Sequence, residues 1–159
     1  MPASEAVHDS RGQENPRYSG DCSFCRIVRG EAEASFVAME EQVTAFMDIR
    51  PINRGHVLVV PLSHAADLSE LEEEVGGKLF ELATRVAGAL RRCGVRCEGV
   101  NLLLSDGEVA GQVVLHVHLH VIPRFRGDGF AFRPGPGFGR APDREELSRV
   151  ADQVRGSLR

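Results

Sequence analysis

Three of the six histidines stand on alternate residues of one apolar run, Gln112-Val113-Val114-Leu115-His116-Val117-His118-Leu119-His120-Val121-Ile122-Pro123-Arg124, and no other stretch restricts the fold as much. A β-branched run with period-two alternation is a strand pattern. Successive side chains of a strand point to opposite faces. Gln112, Val114, His116, His118 and His120 are therefore expected on one face, and Val113, Leu115, Val117, Leu119 and Val121 on the other. One face is then core and the other carries chemistry. A single histidine on such a strand reads as solvent-facing filler, whereas three in strict alternation do not. Pro123 cannot donate to a ladder and is expected to end the strand, leaving the histidines near an end that a ligand can approach.

A chain of 159 residues, 42% hydrophobic, suits one domain with a real core. The net charge of −4 argues against a nucleic-acid surface, which needs a basic excess to neutralise phosphates. No apolar run of about 18 residues is present to span a membrane, and the N-terminus lacks the apolar core of a signal peptide. A cytoplasmic protein is expected, and in a reducing compartment the four cysteines point to metal or free thiols before disulfides.

Residues 1–20 show no apolar periodicity and are expected to form a flexible tail. Asp21 and Gly30 would cap and stop a short helix between them. Ser35–Glu40 and Val43–Asp48 read as a hairpin, and His56–Pro61 as a buried central strand. Leu68, Leu71, Val75, Leu79, Leu82, Val86 and Leu90 have helical spacing over 68–92, with a bend or a short break expected at Gly76-Gly77. Val100–Leu104 is a further strand and Ser105–Gly111 a loop before the histidine run. After Asp128, glycine and proline mark a loop, and a last helix begins near Pro142 with a thin stripe of Leu147, Val150, Val154 and Leu158.

His116-Val117-His118-Leu119-His120-Val121 resembles the histidine-triad signature of the HIT superfamily of nucleotidyl hydrolases and transferases. The resemblance extends upstream through Phe46-Met47-Asp48-Ile49-Arg50-Pro51, Gly55-His56-Val57-Leu58-Val59-Val60-Pro61 and His64. Downstream it includes Gly99-Val100-Asn101, Asp106-Gly107, Ala110-Gly111-Gln112 and Pro123-Arg124. It implies a HIT domain over 21–127, with 128–159 as a loop and helix completing it. The implied fold is α+β: an antiparallel sheet of about five strands with one long helix and shorter ones packed on it. A homodimer and a purine-nucleotide or AMP-linked substrate are also implied.

Neutral imidazole keeps a lone pair at pH 7 and can attack phosphorus. The resemblance makes His118 the residue that carries the nucleotidyl group, provided its other ring nitrogen donates to a fixed acceptor. It gives His120 and Gln112 to the phosphate, His56 to the hydrogen-bond network and Asp48 to the ribose. Phe24, Phe46 and Met47 are candidates for the base, each equally well a core residue, and Asn101 and Ser105 complete the nucleotide set. Two departures stand out: Ser105 where the Hint-like branch has asparagine, and Val113 where it has a hydroxyl residue. Val113 either packs in the core, as parity suggests, or is turned to the substrate by a bulge.

Cys22-x-x-Cys25 is a metal-type pair, and a subset of bacterial HIT proteins resembles this chain in completing a structural zinc site with two histidines, here His64 and His116. A Cys22–Cys25 disulfide is the alternative, and Cys93 and Cys97 read as ordinary buried thiols. Two rivals remain: a catalytic zinc held by His116, His118 and His120, whose outer Cα atoms would be roughly 13 Å apart, and a nucleotide-binding module without turnover.

Overall fold

The computed structural model describes residues 22–131, 134–136, 138–139 and 141–158. The expected tail over 1–20 and the expected cap Asp21 lie outside them. The chain divides into two compact units, one ending at Asp128 and the other beginning at Gly129.

In the first unit, α1 (Ser23–Val28) is followed by β1 (Phe36–Met39), β2 (Val43–Met47), β3 (Val57–Pro61), α2 (Glu73–Leu90), β4 (Gly99–Leu104), a 3₁₀ turn at Glu108–Ala110, and β5 (Leu119–Arg124). The strands form one antiparallel sheet in the order β1-β2-β3-β5-β4. β2 and β3 are buried on both faces, as their near-continuous apolar sequences require. Alternate residues divide between two cores. Val43, Ala45, Val57, Val59, Val117, Leu119 and Val121 meet Leu79, Leu82, Val86 and Leu90 of α2. Phe46, Leu58 and Val60 meet Phe24 of α1. Each of the valine, leucine and phenylalanine side chains contributes about 1.5 to 3 kcal/mol by leaving water, so the sheet is held between its two helices.

The long helix is shorter than its pattern. It starts after Glu72, so Gly76 and Gly77 fall near its beginning and no break interrupts it. Leu68 and Leu71 lie in the preceding turn, and a Cβ on Gly76 would sit 3.6 Å from Leu71. The glycine makes room where the turn folds back on the helix.

The histidine strand is also shorter than expected. β3 and β4 both end their ladders at Leu119, through the Val59–Leu119 and Leu104–Leu119 pairs. Beyond that point β4 has ended, and β3, which runs on to Pro61, makes no further pairs with this run, so residues 112–118 are not strand. His116 N instead donates to Val114 O (2.8 Å) and Val117 N to Ala65 O (2.8 Å), which bends the chain. The expected alternation holds from Val117 to Val121 and fails before it. Val113 and Leu115, assigned to the inner face, are 90% and 50% exposed. Pro123, expected to stop the strand, is inside it and pairs with Val100. Its carbonyl accepts from Asn53 Nδ2 (2.9 Å), on the side where β3 has already ended, so the missing N–H breaks no ladder.

The second unit contains α3 (Arg144–Ser157), capped by Asp143, whose carboxylate accepts from Glu146 N (2.8 Å).

Candidate nucleotide and metal sites

The sheet register brings the first set of side chains together. Phe46 pairs with Leu58 and Leu58 with His120, so all three project from the α1 face of adjacent strands. α1 closes over this row. Phe24 lies edge-on to Phe46 and to His118, with ring centroids 5.6 and 5.2 Å apart. Between them is a cavity of about 510 Å³ lined by residues that include Phe24, Phe46, Met47, Asp48, His118 and His120. Its other walls include Ile27, Leu58 and Val113. Ile27 was not singled out in the sequence, although its place three residues after Phe24 on a short helix puts it on the same face.

The hydrogen bonds assign the ring protons. His118 Nδ1 donates to the carbonyl of His116 (2.7 Å), which leaves Nε2 with the lone pair. Ile52 N donates to His56 Nδ1 (3.2 Å), so the His56 proton is on Nε2 and is donated to His120 Nδ1 (2.9 Å). The His120 proton is then on Nε2. Burial lowers the pKa of His118 against the opposing bond to the His116 carbonyl. Burial also lowers His56, opposed by Asp48. His120 is pushed down to about 4, first by burial and then by His118 and His56. All three rings are neutral at pH 7.

Asp48 Oδ1 accepts from Arg50 N (2.7 Å), and Oδ2 lies 3.4 Å from His56 Nδ1. Each carboxylate oxygen keeps a second lone pair for a ligand hydroxyl. The loop from Asp48 to His56 is pinned at its far side by Asn53 Nδ2, which donates to Asp128 Oδ2 (2.9 Å) as well as to Pro123 O.

Three assigned residues are placed otherwise. Gln112 is only 5% exposed and braces the chain: Nε2 donates to Ala66 O (2.7 Å) and Oε1 accepts from Gly107 N (2.7 Å). It does not line the cavity, because the strand that would have put it in line with His118 is not formed. Asn101 is in β4 opposite Ile122 and accepts from Arg124, away from the cavity. Ser105 is half-buried in the loop after β4 near Gly111, and it too is not among the lining residues.

His116 belongs to a second cluster. Donor atoms of Cys22, Cys25, His64 and His116 all lie within 4.8 Å of one another. Cys25 Sγ is 3.3 Å from His64 Nδ1 and 3.5 Å from His116 Nδ1; Cys22 Sγ is 3.5 Å from His116 Nδ1; the two Nδ1 atoms are 3.3 Å apart. A tetrahedral zinc with ordinary bond lengths sets N···N and N···S edges at about 3.4 and 3.6 Å. His116 Nε2 donates to Pro61 O (3.0 Å), so its Nδ1 presents a lone pair to the cluster. The Cys22 thiol is pushed down to about 2, first by Cys25 and then by His116 and His64, against burial. Two thiols, one held as thiolate, and two imidazoles form a closed donor set that fits a structural zinc.

The triad is therefore divided, His116 to metal and His118 and His120 to the cavity, which removes the shared catalytic zinc. Asp48, His56 and His120 also have donor atoms within 4.8 Å of one another, but the direct 2.9 Å His56–His120 bond occupies the space an ion would need. Cys22, Cys25, Cys93 and Cys97 are free thiols, so the disulfide alternative also falls. Cys93 is exposed and Cys97 half-buried, not the buried pair expected. Among the described residues no helix is long and apolar enough to cross a membrane.

Residues 29–127 match the HIT domain family. The adenosine 5′-monophosphoramidase of Schizosaccharomyces pombe is 32% identical over 139 residues, 87% of this chain and 98% of that protein. A HIT family protein from Bacillus anthracis superposes with a TM-score of 0.78 at 35% identity, covering 87% of this chain and 98% of that one. A zinc-bound histidine triad family protein from Mycobacterium smegmatis does so with a TM-score of 0.68 at 37% identity, over 87% and 98%. Together with the alternating histidines and the Cys₂His₂ cluster, this match over most of the chain identifies it as a member of the HIT domain family, of the kind that carries a structural zinc site.

Proposed function

We propose that this protein hydrolyses nucleotide phosphoramidates or phosphoanhydrides, with AMP-linked small molecules as the first class to test, through a nucleotidyl group carried on His118. The observation that carries the reading is the 2.7 Å bond from His118 Nδ1 to the His116 carbonyl, which leaves a neutral Nε2 on a residue that lines the cavity. In the first step Nε2 attacks phosphorus. The bond from phosphorus to the leaving group breaks, its electron pair departs with that group, and the group takes up a proton. In the second step water attacks phosphorus, the N–P bond breaks, and its electrons return to His118 as the hydroxyl joins the nucleotide and a proton goes to solvent.

His120 Nε2–H is the donor available to a phosphate oxygen, and His56 orients it through Nδ1. Asp48 takes the ribose hydroxyls, and Phe24, Phe46 and Met47 pack on the base. A zinc on Cys22, Cys25, His64 and His116 would supply no chemistry to the reaction; it would fix α1 and the carbonyl on which His118 is anchored. The S. pombe relative, a monophosphoramidase, supports the substrate class. The same reading places the protein in the cytoplasm and includes a homodimer, for which β1 and β4 are the strands left at the sheet edges.

A second reading, nucleotide binding without turnover, is favoured by one observation: Gln112 is engaged elsewhere and Val113 offers no hydroxyl, so the leaving group has fewer donors. Turnover of AMP-linked amines by wild type and by His118→Asn, with mass analysis for an AMP adduct, separates the two. The hydrolase reading expects turnover and an adduct in wild type, and loss of both by about a thousandfold or more in the variant with nucleotide binding retained. Binding with no turnover in wild type would favour the module.

A further inference from the structure

We infer that Glu33 reads the base, and that its carboxylate selects guanine over adenine. The inference rests on the nucleotide reading above and refines its base: AMP-linked compounds would be bound, but less tightly than their GMP-linked counterparts.

Glu33 belongs to the connection between α1 and β1 and lines the cavity together with Ala34 and Ile49. Met47 N donates to Ser35 O (2.9 Å), which runs this connection beside the end of β2. In the strand order β1-β2-β3-β5 that edge is three strand spacings from the strand of His120, about 14 Å of backbone. Glu33 and the two histidines thus line opposite ends of one cavity. With phosphate at His118 and His120 and the base against Phe24, Ile27 and Phe46, the far edge of the base meets Glu33. The neighbouring Glu31 is paired with Arg29 (2.8 Å), whereas the described ion pairs include none for Glu33.

A carboxylate offers two acceptors and no donor. The Watson–Crick edge of guanine presents two adjacent donors, N1–H and the 2-amino group, which match both oxygens. Adenine presents its 6-amino donor beside the lone pair of N1, so one oxygen gains a bond and the other faces a lone pair. Hypoxanthine, with N1–H but no 2-amino group, falls between. A bidentate contact discriminates against the wrong base by about five- to a hundredfold, and for an exposed carboxylate the lower part of that range applies.

The test is calorimetric titration of the full chain with GMP, IMP, AMP and, as the base-free control, ribose 5-phosphate. Wild type is expected to bind GMP about tenfold more tightly than AMP, with IMP between them. Glu33 is exposed, so Glu33→Gln leaves the fold and the affinity for ribose 5-phosphate unchanged. An amide presents one donor and one acceptor, a match for adenine, and the variant should bring GMP and AMP within about twofold. Equal affinities for GMP and AMP in wild type, or a guanine preference that survives in Glu33→Gln, overturn the inference and leave the nucleotide reading standing. Nucleotides that bind no better than ribose 5-phosphate overturn both.

Discussion

Val113 stands exposed at the cavity that holds His118 and His120; in the proposed reaction a hydroxyl there would face the phosphate or leaving group. The bend between Val114 and His116 is what turned it there. A methyl group beside developing negative charge does nothing for it, while one well-placed donor is worth a factor of about a hundred in rate. Val113→Ser should therefore raise phosphoramidate turnover by about tenfold or more. Substitution at so exposed a position should shift stability by less than about 0.5 kcal/mol. Steady-state rates and a melting curve on this variant check both statements; an unchanged rate would mean that a donor here is not what limits the reaction. Gln112 is the opposite case at the same scale. One residue earlier, it is buried and bonded at both ends of its amide, so it shapes the Gly107 loop.

At the scale of elements, α1 has six residues, too few to be stable alone. It is held by Phe24 against Phe46 and by the cluster that Cys22 and Cys25 share with His64, beyond β3, and His116, ahead of β5. The same helix is one wall of the cavity, so the metal site and the proposed nucleotide site have a common part. Cys22→Ala/Cys25→Ala should remove a zinc present at about one per chain in the wild type. It should lower the melting temperature by roughly 10 °C, equivalent to about 3 kcal/mol at this chain length. Metal analysis and calorimetry read the two effects. A wild-type protein free of zinc and equal in stability to the double variant would remove the site. The loop from Asp48 to His56 plays the corresponding part on the other side, where the Ile52 amide sets the His56 tautomer and Asn53 ties the loop to Pro123 and Asp128.

For the molecule as a whole, burying three imidazoles in neutral form links stability to pH. In the unfolded chain these rings take up protons below about pH 6.5, whereas in the fold His120 resists protonation down to about 4 and His56 and His118 are lowered in the same direction. Across that window the unfolded state binds more protons, so stability is fully present above pH 6.5 and is lost as pH falls toward 4. Melting temperatures between pH 7.5 and 4.5 should follow this course, and His120→Asn should flatten it; an equal slope in the variant would exclude His120 as a source. Much of this molecule was determined by sequence alone. The period-two histidines placed His118 and His120 across the sheet from Val117, Leu119 and Val121, the Cys22-x-x-Cys25 spacing announced a metal site, and the continuous apolar run of β3 marked the centre of the sheet. These are properties of local spacing, and local spacing survives folding. Only the tertiary structure decided where the histidine strand begins, since that depends on where its pairing with β3 and β4 stops and not on the run from Gln112 to Leu115. It thereby decided that Gln112 turns inward and Val113 outward, and that a backbone amide at Ile52 sets the protons of His56 and His120. Each of those outcomes is a hydrogen bond or a missing ladder partner supplied by another part of the chain, which no pattern of neighbours along the sequence contains.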